Sequence, residues 1–140
     1  MTGRIVVLNG PPRSGKSSIA KAVQQHVPGH WLNIGVDVMA AALPPSLQPG
    51  IGLRPGGERP DLEPHVEALF LALYDTIASH ARLGFDVVAD LAHHDNYARS
   101  LGILPKCARR ISGLSALLVS VECPDEVILA RRRADTSGGF

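Results

Sequence analysis

The octapeptide Gly10-Pro11-Pro12-Arg13-Ser14-Gly15-Lys16-Ser17 constrains this chain more than any other stretch of it. It has the spacing G-x-x-x-x-G-K-[ST], and its neighbours fit that spacing. Before it runs Arg4-Ile5-Val6-Val7-Leu8, stopped by Asn9-Gly10, the pattern of a strand buried on both faces of a parallel sheet. After it, from Lys16 to Val27, Ile19, Ala20, Val23 and Val27 recur at three- and four-residue steps, as on an amphipathic helix closed by Pro28-Gly29. Strand, glycine-rich loop and helix in this order make a phosphate loop. Gly10 and Gly15 permit a backbone whose successive N–H groups face one anion-sized nest. The helix directs its positive end at the same place. Lys16 can reach the outer phosphates, and the Ser17 hydroxyl can ligate Mg²⁺. The nucleotide-binding set is therefore Gly10, Pro11, Pro12, Arg13, Ser14, Gly15, Lys16, Ser17 and Ser18.

The rest of the chain alternates strands and helices. Trp31 to Val36 reads as a second strand ending at Asp37, and Val38 to Leu43 as a short helix halted by Pro44-Pro45. Pro44 to Pro60 holds five prolines and four glycines in seventeen residues, so residues 44–62 are expected to form a long substrate-side loop. A helix is expected from Pro64 to Leu83, with Val66, Leu69, Phe70, Leu73 and Ile77 on one face. Phe85 to Leu91 reads as a third strand, Asn96 to Ile111 as a helix interrupted at Gly102 and Pro105, Ser115 to Val121 as a fourth strand, and Pro124 to Arg133 as a last helix. Such alternation indicates βαβ units, hence an α/β fold of three layers with a parallel sheet in the middle.

With 140 residues the chain is the size of one domain, 1–140. Fourteen basic against thirteen acidic residues give no electrostatic reason to expect nucleic acid or an anionic membrane. No apolar run approaches the roughly 18 residues of a membrane span. Cys107 and Cys123 lie far apart, outside any metal-ligand spacing, and are expected as buried thiols of a cytoplasmic protein.

Asp37 is expected on the same edge of the sheet as the phosphate loop, where a carboxylate can take the proton of an attacking hydroxyl. Capping of the helix that follows it is the competing account. Asp90, near the end of the third strand, is a candidate partner for Mg²⁺ beside Ser17. His93-His94-Asp95 lacks metal-ligand spacing and is expected in a solvated loop. Arg131-Arg132-Arg133 closes the last helix, either as an exposed basic end or as a lid whose Arg131 and Arg133 neutralise charge on a transferring phosphoryl group. Trp31 is expected in the core, and Tyr97 is a candidate for a cavity wall.

These residues resemble the chloramphenicol phosphotransferases. The resemblance lies in Val6-Val7-Leu8-Asn9-Gly10, Ser14-Gly15-Lys16-Ser17-Ser18, Trp31-Leu32, Gly35-Val36-Asp37, and Val121-Glu122-Cys123-Pro124-Asp125 leading into Ala130-Arg131-Arg132-Arg133-Ala134. It implies an ATP-dependent kinase that phosphorylates the primary hydroxyl of chloramphenicol, with Asp37 as general base and Asp90 near Mg²⁺. Family members usually continue through an arginine-rich lid, a fifth strand and a last helix. By that pattern residues 124–140 are a partial lid, Asp135 stands where an arginine is common, and the fourth strand is an exposed edge open to a second copy of the chain. Two other readings stay open. Arg54 and Arg59 suit a kinase for an anionic alcohol, such as a sugar acid or a shikimate-like metabolite. An incomplete lid suits a nucleotide-binding module with little turnover. No N-K-x-D or L-S-G-G-Q motif points to a GTP switch or a transporter ATPase.

Overall fold

The computed structural model describes residues 1–48, 60–94 and 100–134. In chain order the elements are β1 (Arg4–Asn9), α1 (Lys16–His26), β2 (Trp31–Asn33), α2 (Val36–Ala42), α3 (Glu63–Arg82), β3 (Asp86–Leu91), α4 (Ile103–Arg110), β4 (Ser115–Ser120) and α5 (Asp125–Ala134). Short 3₁₀ turns at Pro45–Leu47 and Pro60–Leu62 lie within the two ends of the expected substrate-side loop. Residues 49–59 of that loop, Arg54 and Arg59 among them, lie outside the described residues, as do Asp95, Tyr97, Asp135 and the end of the 124–140 segment.

All strands are parallel, in the order β2-β3-β1-β4. Alternation along the strands then sorts the side chains by parity. Odd-numbered Ile5, Val7, Val87, Ala89 and Leu91 pack with Val66, Phe70, Leu73, Tyr74 and Ile77 of α3 and with Ile103 and Cys107 of α4. Even-numbered Leu8 and Val88 pack with Ala20 of α1, Trp31 and Val121. This is the expected three-layer α/β arrangement, and Trp31 is in the core. The loop between β1 and α1 and the ends of β2 and β3 share the carboxyl edge, where open α/β sheets bind ligands. β4 is the edge strand among the described residues, with Leu117 60% and Leu118 54% exposed.

Several boundaries differ from expectation for identifiable reasons. β2 stops at Asn33, and Gly35 rather than Asp37 is the N-cap of α2, with no side-chain cap bond. The apolar run through Ile34 and Val36 looked like more strand, but both residues are drawn toward the α3-side core instead. The fourth helix begins only at Ile103, because Gly102 takes a left-handed conformation and Pro105 is tolerated in the first turn. Cys107 is buried as expected, whereas Cys123 is only partly so. No helix among the described residues is long and apolar enough to cross a membrane.

Candidate functional site

The phosphate loop leaves β1 at Asn9 and enters α1 at Lys16. Its curvature comes from left-handed backbone at Arg13 (φ 64°) and Gly15 (φ 108°), and Ser14 N–H donates to Pro11 O at 3.3 Å. Arg13 is the one non-glycine residue with positive φ among those described, a conformation that stores strain where a loop must hold a special shape. Gly10 takes no such φ; a Cβ there would stand 2.4 Å from Val121 O, so its absence allows a close approach to the chain after β4. Space over Gly15 is open, with nothing within 4 Å of where a Cβ would project.

Lys16 lies folded over the loop. Its Nζ donates to Gly10 O at 2.8 Å and Pro11 O at 2.9 Å, and stands 3.8 Å from Asp90 Oδ1. Burial pulls its ammonium below the ordinary lysine range, while the charges of Asp90 and Asp37 oppose that pull. Asp90 reaches this place because it is even-numbered and pairs with Leu8 in the ladder, which turns it to the α1 face. Its Oδ2 accepts from Ser17 Oγ at 3.0 Å.

Asp37 sits in the first turn of α2, correcting the sequence-based placement at a strand end. The β2–α2 turn presses directly on β3: a Cβ on Gly35 would lie 2.5 Å from Asp90 O and 2.8 Å from Asp90 N. That close approach brings the α2 N-terminus beside Asp90, and the Asp37 charge is felt at Lys16. Capping of α2 by the Asp37 side chain is excluded, since Gly35 holds the cap position. Arg131 donates from Nη1 to Arg13 O at 2.7 Å, joining α5 to the loop. Arg133 is exposed in the last turn of α5.

His93 departs from the expected solvated loop. Its ring stacks on Phe70 with centroids 4.7 Å apart, and Nε2 lies 2.9 Å from the Tyr74 hydroxyl. Burial holds the imidazole down to a pKa of about 4, with His94 adding to the shift. Its backbone N–H donates to Asn9 Oδ1 at 2.7 Å. Adjacent histidines and an aspartate read as polar loop; only the odd parity shared with Leu91 could have turned His93 toward α3.

The loop fits a polyphosphate and the Ser17–Asp90 pair fits a divalent cation. Ser14 Oγ is buried with no hydrogen-bond partner, and a phosphate oxygen is the acceptor such a hydroxyl lacks. Ser17 and Asp90 offer two hard oxygen donors, the ligand type magnesium prefers.

The family model for chloramphenicol phosphotransferase-like proteins matches residues 3–139. Curated proteins named as O-phosphotransferases, from Mycobacterium tuberculosis strains CDC 1551 / Oshkosh and ATCC 25618 / H37Rv, are 42% identical over 43 residues. That stretch is 31% of this chain and 19% of each relative, so the match spans under a fifth of their length. Among solved structures, a sugar kinase from Janibacter sp. HTCC2649 superposes with a TM-score of 0.64 at 18% identity, covering 99% of this chain and 69% of that one. The tunicamycin resistance protein of Deinococcus radiodurans gives a TM-score of 0.64 at 19% identity, covering 99% and 73%. At such identities the likeness is one of fold.

Proposed function

Because the chain belongs to the chloramphenicol phosphotransferase-like family, we propose that it transfers the γ-phosphate of ATP to a hydroxyl of a small molecule, with chloramphenicol the foremost candidate acceptor. The observation that carries this reading is the convergence of Lys16, Ser17 and Asp90 at one end of the phosphate loop, with the charge of Asp37 reaching Lys16.

The backbone N–H groups from Arg13 to Ser18 and the α1 N-terminus bind and orient the phosphates. Lys16 exchanges its two carbonyl partners for phosphate oxygens and neutralises charge as it develops. Ser17 and Asp90 are the residues that would hold magnesium, which supplies further neutralisation at the outer phosphates when bound. Asp37 accepts the proton of the attacking hydroxyl as the new P–O bond forms, and the bridging P–O bond breaks with its electron pair leaving on ADP. Arg133, and Arg131 once released from Arg13 O, add positive charge from the lid side.

The test is mass spectrometry of chloramphenicol incubated with the chain and Mg-ATP, beside Asp37→Asn and beside shikimate and gluconate as anionic acceptors. The expected result is phosphorylated chloramphenicol, falling about 100-fold or more in Asp37→Asn, while ATP binding persists. Product on an anionic acceptor alone replaces chloramphenicol in this reading. Bound ATP with no product from any acceptor overturns the transferase assignment in favour of a silent nucleotide-binding module.

A further inference from the structure

The odd-numbered face of the sheet carries a polar chain of contacts that the transfer chemistry leaves unused. Asn9 ends β1, and its parity points it toward α3, where apolar Ile5 and Val7 precede it. Its Oδ1 accepts the His93 N–H at 2.7 Å, which extends the β1–β3 pairing past the last strand rung. The His93 ring then meets α3, lying flat on Phe70 and bonded to the Tyr74 hydroxyl. Tyr74 is only 1% exposed, so this bond is made in the core. In the other direction Asn9 is bonded to Gly10, whose carbonyl accepts from Lys16 Nζ at 2.8 Å. One unbroken path thus runs Tyr74 Oη, His93 Nε2, His93 N, Asn9 Oδ1, Gly10 O, Lys16 Nζ.

We propose that His93 is a positioning residue that joins α3 to the phosphate loop, so that filling the loop tightens α3. The proposal rests on the nucleotide-binding reading given above. Its two-state element is Lys16, held by the Gly10 and Pro11 carbonyls in one state and by phosphate oxygens in the other. When Lys16 lets go, the Gly10–Pro11 peptide loses its tether on one side, and the neighbouring Asn9 transmits the adjustment through its side-chain amide to His93. Histidine suits the joint because its neutral ring combines a flat face for Phe70 with a nitrogen for Tyr74. A glutamine would keep a polar end without the face, and a phenylalanine the face without the nitrogen.

Hydrogen exchange of α3 amides, read with and without saturating Mg-AMPPNP, tests this without any acceptor; calorimetry on the same samples reports nucleotide binding separately. In the wild-type chain the nucleotude-free to nucleotide-bound change should slow exchange around Phe70 and Tyr74 by about threefold or more. Asn9→Ala and Tyr74→Phe cut the path at opposite ends and should abolish the slowing while Mg-AMPPNP remains bound. Asn9→Asp keeps an acceptor oxygen for the His93 N–H and should retain it, which loss of packing at the β1 end would not allow. Slowing that persists in both Asn9→Ala and Tyr74→Phe overturns the proposal, because sheet packing then carries the coupling. Wild-type binding without slowing overturns it as well. No calorimetric binding at all overturns the nucleotide reading first, and this proposal with it.

Discussion

β1 and β3 lead to a cation–carboxylate pair at each end of the sheet's α1-side face, and the two pairs are built in opposite ways. At the amino end Arg4 and Asp86 are closed on each other: Arg4 Nη2 meets Asp86 Oδ2 at 2.8 Å, Nε meets Oδ1 at 3.1 Å, and the Arg4 backbone N–H meets Oδ1 at 2.7 Å. Arg4 also donates to Pro28 O at 2.7 Å and lies 4.7 Å from the Trp31 ring centroid. Hydrogen bonding to Asp86 raises the Arg4 pKa, and the bond from Arg4 holds the Asp86 carboxyl below its usual range. At the carboxyl end the pair is buried yet slack, with Lys16 and Asp90 side chains 8% and 14% exposed but 3.8 Å apart. A buried charge without a close counter-charge is costly. Lys16 leans instead on the Gly10 and Pro11 carbonyls, and Asp90 on the Ser17 hydroxyl. The closed pair satisfies itself, and the slack pair is the one that the proposed nucleotide and cation would draw on.

Lys16→Ala should give the largest effect and separate the two ends most sharply. Mg-ATP affinity and phosphoryl transfer should each fall by about 10²–10³-fold or more, measured by calorimetry and product formation. The unfolding temperature should hardly move, because the lost carbonyl bonds are offset by relief of a buried ammonium. A large drop in unfolding temperature would break the comparison, making Lys16 a structural residue. Asp86→Ala should do the reverse. It strips Arg4 of its paired carboxylate and leaves a backbone N–H without its acceptor, lowering the unfolding temperature by several degrees while nucleotide affinity holds. Asp86→Asn, which keeps an acceptor oxygen, should lose less.

Acid sharpens the same contrast, because the groups involved respond in different windows. His93 has a folded pKa near 4, below the ordinary histidine value, so the unfolded chain binds the extra proton first as pH falls. Stability therefore drops between about pH 6.5 and about pH 4, by on the order of 3 kcal/mol for this one group. Asp86 acts lower: its depressed carboxyl pKa lends stability above the unfolded carboxylate value and loses it as pH falls through the folded one. Thermal unfolding followed from pH 7 to pH 4.5 should show a slope in the wild-type chain that flattens in His93→Gln. An unchanged slope in that variant would mean that the ring titrates freely.

Much of the fold was legible because it rests on local pattern. The Arg4–Leu8 run, the helical spacing from Lys16 and the Phe70–Ile77 stripe each named their element from neighbouring residues alone. Misreadings fell where tertiary packing outweighed pattern. Ile34 and Val36 looked like strand, and what ends β2 early is the close approach of Gly35 to Asp90, a contact between residues 55 positions apart. At the site, spacing picked out the phosphate loop, and the expected sheet edge together with the family resemblance picked out Asp37. The bond between Asn9 and His93 had no local signal at all, since it depends on the register of β1 against β3.

Ser14 gives the smallest effect and the finest distinction between a structural residue and a binding one. Its hydroxyl is buried without a partner, a penalty of about 1–3 kcal/mol for a polar group cut off from water. Ser14→Ala removes the penalty together with the group, so the empty protein should unfold at the same temperature or slightly higher. The filled loop loses a donor to phosphate, and Mg-ATP affinity should fall by about three- to tenfold, the worth of one hydrogen bond. Stability and affinity then move in opposite directions from a single oxygen atom. A residue kept for the fold would lose stability while affinity held, and that result would put Ser14 in the class of Asp86.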